Sequence, residues 1–227
     1  MRTRGETITG AEETRARILE AAVALFLEHG YDATTMRMVA EQARLGLGSS
    51  YYHFPSKEHV LQAVYVRIHA AHLAACGPVL QQERQFPARL AGVLHAKLTL
   101  IAPYHLVARP LLNAAAGPQV SGPESTAMGQ VRQELTALFA AVVDDSPLTM
   151  PADLRPELPG LLWLYHQGVL HFWMQDASPG RRRTRRLVDV TVPLIGTLLQ
   201  RSNGAVLTPF RRSLLALIGD LRNERAG

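Results

Sequence analysis

The stretch Thr34-Thr35-Met36-Arg37-Met38-Val39-Ala40-Glu41-Gln42-Ala43-Arg44-Leu45-Gly46-Leu47-Gly48-Ser49-Ser50-Tyr51-Tyr52-His53-Phe54-Pro55-Ser56-Lys57-Glu58 decides the fold. Two threonines offer hydroxyl caps at its start, and Met36, Val39, Ala40 and Ala43 then recur at helical spacing, which predicts a short helix to about Gln42. A break follows at Arg44-Leu45-Gly46. The next helix, 47–53, has only two turns, and Phe54-Pro55 ends it because the residue before a proline is pushed out of helical geometry. Ser56-Lys57-Glu58 opens a longer helix, expected to run to about Ala75 and to stop at Gly77-Pro78.

Working outward, Ile18, Ala22, Leu25 and Phe26 predict an amphipathic helix over 13–29, with Gly30 just past its end and a polar arm over 1–12. Toward the C-terminus the same periodicity predicts helices at 87–102, 104–115, 123–143, 160–175, 179–200 and 209–223, the fifth kinked at Pro193. Ser178-Pro179 and Thr208-Pro209 each pair an N-cap with proline at the first helical position. No run alternates apolar and polar residues between Asn-Gly or Asp-Gly turns. The chain therefore reads as all-α.

Of 227 residues, 47% are hydrophobic, enough for a sizeable core. The formal net charge is +5, yet residues 1–60 hold seven Lys/Arg against eight Asp/Glu, so bulk charge does not mark the N-terminal part as a polyanion binder. The lone Cys76 excludes an internal disulfide, and Glu20 interrupts the apolar stretch 18–27, too polar for a signal-peptide core. The most apolar segment, 98–116, carries His105 and Arg109. A cytoplasmic protein that does not engage membranes is expected. With no nucleophile elbow, phosphate-binding loop, dinucleotide fingerprint or His-Glu-x-x-His pair, no enzyme activity and no cofactor are expected.

Three short helices followed by a long one is the layout of a helix-turn-helix unit whose third helix lies in the DNA major groove. The phrase Glu28-His29-Gly30-Tyr31, the paired threonines, the tyrosine-rich helix and the exit Phe54-Pro55-Ser56-Lys57 together resemble the TetR family of regulators over residues 14–62. The resemblance implies an N-terminal three-helix DNA-binding domain (13–60) and a larger helical dimerisation and ligand domain (61–227). It further implies a repressor that binds a palindromic operator as a homodimer and is released by a small molecule. A helical dimeric adaptor and a metal-responsive regulator stand as alternatives. The residues expected to meet DNA are Thr35, Arg37, Arg44, Gly48, Ser49, Tyr51, Tyr52, His53 and Lys57. Lys57 opposes the dipole at its helix start, so it is expected to face an anion. The sequence departs from the family pattern where Arg44 replaces the turn glycine, Gly46 the hydroxyl cap and Leu47 a basic residue. An arginine forced to positive φ would cost about 1–2 kcal/mol, so either the turn differs slightly here or Gly46 takes the left-handed angle instead. Phosphate contacts are expected to lean on Arg37, Arg44 and Lys57 with the arm residues Arg2, Arg4, Arg15 and Arg17.

Helix 160–175 is apolar on nearly every face, and Gly168 and Gly196 would allow close helix approach. A four-helix dimer interface is expected at Leu161, Tyr165, Gly168, Phe172, Val192 and Gly196. For the effector, Tyr104, His105, Arg109 and Asn113 fall at helical spacing in an apolar segment, with Trp163 and His166 as further lining candidates. His69, His72 and Cys76 share one helix face, but three ligands on one helix rarely close a tetrahedron, so no metal is expected. The run Arg181, Arg182, Arg183, Arg185, Arg186 reads as a solvated face or as a second patch for nucleic acid or acidic membrane.

Overall fold

The computed structural model describes residues 10–116, 123–202, 204, 208–209, 211–213 and 215–216. Among the described residues there are nine α-helices and no strand: α1 Gly10–His29, α2 Met36–Gln42, α3 Leu47–His53, α4 Lys57–Gln82, α5 Phe86–Ile101, α6 Ala108–Ala116, α7 Pro123–Asp144, α8 Leu158–Gln175 and α9 Arg182–Arg201. The expected all-α class is thus observed. The chain divides into two compact units, residues 1–70 with 101–131 and residues 71–100 with 132–227, so the division falls inside α4.

In the first unit α1 packs on α2, and α2 on α3. Their inward side chains, Ile18, Ala22, Phe26, Val39, Ala40 and Phe54, are at most 2% exposed; burying each of the larger ones is worth about 1.5–3 kcal/mol. Gly30, at φ 81°, closes α1 with its N–H on Phe26 O (3.1 Å). The 3-10 turn Ala102–Val107 also packs on α1, which brings a later stretch of chain into this unit.

Several boundaries differ from expectation. α1 starts a turn earlier, at Gly10. The predicted helix 104–115 is α-helical only from Ala108, because its start lies in the 3-10 turn Ala102–Val107, which holds Pro103 and the non-helical Tyr104 (φ −88°, ψ 20°). α4 does not stop at Gly77-Pro78 but runs through Pro78 to Gln82. Proline removes one helical hydrogen bond, and the turns beyond it are held from outside the helix. Gly92 of α5 leaves room for Val79, whose Cγ1 would lie 2.4 Å from any added Cβ. Arg89, fully buried, donates to Leu80 O (2.7 Å), Glu83 O (2.8 Å) and Ala141 O (2.9 Å) and pairs with Asp145 (3.2 Å), tying the end of α4 to α7.

α9 begins at Arg182, three residues later than expected, because Gly180 (φ 58°) and Arg181 (φ 52°) form a left-handed step after Pro179. Its cap is Asp176. One carboxylate oxygen accepts from Ser178 N (2.9 Å) and Ser178 Oγ (2.6 Å), the other from Thr184 N (2.9 Å) and Thr184 Oγ1 (2.8 Å). Burial works against the charge, but these bonds outweigh it and hold the carboxyl far below the usual carboxylate range. α9 continues through Pro193. The arm 1–12 and the helix 209–223 lie largely outside the described residues. Lys57–Gln82 and Phe86–Asn113 are each long and apolar enough to cross a membrane by length and composition. The second carries Arg89 and Lys97, both charged side chains of the protein core.

Candidate nucleic-acid interface

α3 is divided sharply between two faces. Ser50 and the adjoining Phe54 are fully buried, whereas Gly48, Ser49, Tyr51 and Tyr52 are exposed, Tyr52 to 84%. Tyr52 stands edge-on to His53, ring centroids 5.3 Å apart. Phenol and hydroxyl groups held outward on so short a helix can hydrogen-bond phosphates and base edges. The far end of α3 is fixed by α1: Arg15 Nη1 donates to His53 O (3.1 Å), and its guanidinium lies 4.1 Å above the Phe54 ring.

The turn between α2 and α3 corrects the expectation of a left-handed Gly46. Arg44 takes the left-handed angle, φ 55°, while Gly46 is extended at φ −67°. Leu45 N–H donates to Ala40 O (2.9 Å) and Arg44 N–H to Glu41 O (3.0 Å), the paired bonds of a glycine-type helix ending built here on arginine. Such an angle costs an L-residue about 1–2 kcal/mol. Arg17 braces the turn from α1, its Nη2 donating to Ala43 O (2.6 Å). Arg15 and Arg17, expected as phosphate contacts, are thus engaged with the backbone of this unit; Arg2 and Arg4 lie outside the described residues.

Thr35 is the N-cap of α2, its hydroxyl accepting from Met38 N (3.2 Å), and buried Thr34 donates to Gly30 O (2.8 Å). Thr35, Arg37 and Arg44 are exposed and His53 is half-buried. Lys57 does not point outward to an anion. Its ammonium donates to Tyr31 O (2.7 Å) and Thr34 O (2.9 Å) and sits 4.1 Å above the Tyr31 ring, so backbone acceptors offset the adverse dipole of α4. Tyr31 in turn donates to Glu58 Oε1 (3.0 Å), and burial, then that bond to a carboxylate, raises its phenol pKa.

The residues expected to line an effector site separate. In the first unit Tyr104 is half-buried, while His105, Arg109 and Asn113 are exposed, as suits a helix surface rather than a lining. In the second unit the Arg132 guanidinium covers Trp163 at 4.7 Å. His166, 1% exposed, stacks on His72 (6.4 Å, 6° between planes) and meets Phe139 at 5.7 Å. His72 Nε2 donates to Val93 O (2.9 Å). Lys97 and Cys76 are buried in the same unit; burial pushes the Lys97 ammonium down to about 8 and the Cys76 thiol up to about 11, each shift moderated by the other group. Sequence reading passed over Lys97 as a polar group of the interior. The signal was present: it follows Val93 by four positions and Leu90 by seven, on the buried stripe of α5. Among the described residues no three His, Cys, Asp or Glu side chains gather closely enough to hold a metal, the His69, His72, Cys76 set included.

The expected dimer face also needs correction. Val192 is fully buried, and Gly196 is packed against α5, where an added Cβ would lie 3.1 Å from Pro87 Cγ. The apolar residues left free are Leu164 and Phe172 on α8 and Val190, Leu194 and Leu198 on α9, between 42% and 57% exposed. Gly168 lies among the α8 pair, also exposed. Leu161 and Tyr165 are half-buried, with the Tyr165 hydroxyl on Thr191 Oγ1 (2.5 Å), and both line an apolar groove of about 260 Å3 with Leu158, Ile195 and Leu198.

Comparison with known proteins agrees with this geometry. A profile described as "Bacterial regulatory proteins, tetR family" matches residues 18–64, and one described as "Tetracyclin repressor-like, C-terminal domain" matches residues 89–214. The HTH-type transcriptional repressor KstR of Rhodococcus jostii is 46% identical over 56 residues, 25% of this chain and 26% of that protein. The HTH-type transcriptional regulator SrpR of Pseudomonas putida is 38% identical over 92 residues, 40% of this chain and 43% of that protein. The matches thus span a quarter to less than half of these curated relatives. Among solved structures, a bacterial regulatory protein in the tetR family from Rhodococcus RHA1 aligns with TM-score 0.58 at 24% identity, covering 81% of this chain and 97% of its own. FadR of Bacillus subtilis in complex with stearoyl-CoA aligns with TM-score 0.59 at 14% identity, covering 78% and 97%. At such identities the likeness carries the fold, not the ligand.

Proposed function

The chain belongs to the TetR family, a transcriptional regulator with an N-terminal helix-turn-helix, and on that footing we propose that it is a ligand-responsive repressor binding a palindromic operator as a homodimer. The observation that carries this reading is the outward face of α3: Ser49, Tyr51 and Tyr52 are free for bases and phosphates while Ser50 and Phe54 seat the helix. Residues 13–60 act as the DNA-binding domain, preceded by an arm over 1–12, and 61–227 as the effector and dimerisation domain. Thr35, Arg37, Arg44, Gly48 and His53 complete the DNA surface, and Lys57 holds its backbone in place. The adaptor alternative drew on the changed turn from Arg44 to Leu47; Arg44 occupying the left-handed angle keeps the turn's backbone bonds and so supports the regulator reading.

Dimerisation is assigned to the free apolar stripes of α8 and α9, centred on Leu164, Gly168, Phe172, Val190, Leu194 and Leu198. The effector, a small organic molecule, binds in the second unit, where His72, Lys97 and His166 supply buried polar groups among apolar side chains. Release from DNA requires it to favour the non-binding conformation by about 5.5 kcal/mol for a near-complete switch. The protein works in the cytoplasm, as a regulator and not an enzyme.

The test is the double variant Tyr51→Ala, Tyr52→Ala, set beside Leu194→Glu. The first should lose its operator yet sediment as a dimer; the second should sediment as a monomer and bind the operator weakly. Operator binding unaffected by the tyrosine pair would refute the assignment of α3.

A further inference from the structure

The arginine run at the start of α9 is not used by any of these roles, and its five members differ in what they do. Arg181 is structural: its Nη1 donates to Trp173 O (3.1 Å) and to Asp176 O, and its guanidinium lies 4.9 Å over the Trp173 ring. Arg185 is half-buried and donates to Thr99 Oγ1 (3.2 Å) on α5. Arg182, Arg183 and Arg186 are exposed, and among the described residues no hydrogen bond or ion pair engages their guanidinium groups. The acids nearest in sequence are already committed, Asp176 to Ser178 and Thr184, and Asp189 to His95 at 2.7 Å.

The helix does not need these cations. Its first N–H groups are satisfied by Ser178 Oγ at Arg183 N (3.1 Å) and by Asp176 at Thr184 N (2.9 Å), and α9 has no acidic residue in its first turn. Positive charge there opposes the helix dipole, so three free arginines stand where folding alone disfavours them. All three are arginine, whose planar fork matches phosphate oxygens two at a time and keeps its charge at any working pH. Residues 1–60 carry no cationic excess, seven Lys/Arg against eight Asp/Glu, so the net positive charge of the chain is carried beyond residue 60.

We propose that Arg182, Arg183 and Arg186 form a second, sequence-independent DNA-binding surface that grips the sugar-phosphate backbone apart from α3. Its role is to raise the affinity for any duplex and so to hold the regulator near DNA while α3 samples sequence. The inference does not depend on operator recognition.

The test uses the full chain carrying Tyr51→Ala and Tyr52→Ala, with a labelled random-sequence duplex titrated across a range of KCl concentrations. Adding Arg182→Ala, Arg183→Ala and Arg186→Ala should weaken binding by about tenfold or more near 0.1 M salt and flatten the slope of log affinity against log salt by about 0.9 for each lost phosphate contact. The corresponding triple lysine variant should keep the slope, since it keeps the charge. Equal slopes and affinities before and after the alanine changes would overturn the proposal, as would loss of slope in the lysine variant. Unchanged duplex binding with loss of binding to phosphatidylserine vesicles would also overturn it, reassigning the patch to an acidic membrane surface.

Discussion

At Arg44 the chain accepts a strained angle to keep its turn. With φ at 55° the residue carries a penalty of about 1–2 kcal/mol that glycine would not, although glycine also loosens the unfolded chain. Arg44→Gly should therefore stabilise the protein by about 0.5–1 kcal/mol, read from the urea midpoint. Destabilisation would mean that the arginine side chain makes a contact worth more than the strain. The sequence pointed away from a strained Arg44, toward Gly46 or a changed turn, because what holds Arg44 there is Leu45 N–H and Arg44 N–H reaching Ala40 O and Glu41 O, and Arg17 arriving from α1. Lys57 illustrates the same gap: adverse to its own helix dipole, it finds two carbonyls across the unit, and no local rule points to them.

Among the elements, α9 depends most on a single group. Asp176 accepts four hydrogen bonds at its start, so Asp176→Asn should cost about 1–2 kcal/mol, as the loss of a good cap does. Because the folded carboxyl titrates below its unfolded value, its contribution is present above the ordinary carboxylate range of about 3.9 and is lost as pH falls beneath it. The wild-type protein should lose stability more steeply than the variant in that acid range; parallel acid limbs in a pH series of thermal melts would deny Asp176 this role. Helix identity was legible because 3.6-residue periodicity is local: α1, α2, α3 and α8 lie close to where their apolar residues put them. Pro78 misled because its effect was decided by Arg89, reaching Leu80 O from the next helix, and Ser178-Pro179 because the adjoining Gly180-Arg181 pair turns left-handed and delays α9. The dimer residues Val192 and Gly196 misled for a related reason. Composition marks a helix as apolar but does not say which stripe its own chain will cover.

For the whole molecule, the buried basic groups of the second unit set an alkaline pH dependence. Lys97 titrates near 8 in the folded protein against 10.5 as a free side chain, so between those values the unfolded chain binds the extra proton and stability rises with pH. Cys76, raised from 9.0 to about 11, has the opposite effect from pH 9 upward. Stability should climb between pH 8 and 9 and level off above, and Lys97→Met should remove the climb. An unchanged profile in the variant would show that the lysine is charged throughout. The face of α3 was readable in outline because that helix, short and polar on one side, is a local object, whereas the buried cluster of His72, Lys97, Phe139 and His166 is assembled from α4, α5, α7 and α8 and is not.

The central claim, a regulator that reads DNA through α3, is tested most directly by selecting bound duplexes from a random library with the purified protein at about 0.15 M salt, where surface charge alone is well screened. The account predicts enrichment of a two-fold symmetric site whose half-sites lie about one helical turn apart or a multiple of it. Recovery of unenriched sequence by a folded, dimeric protein would contradict it.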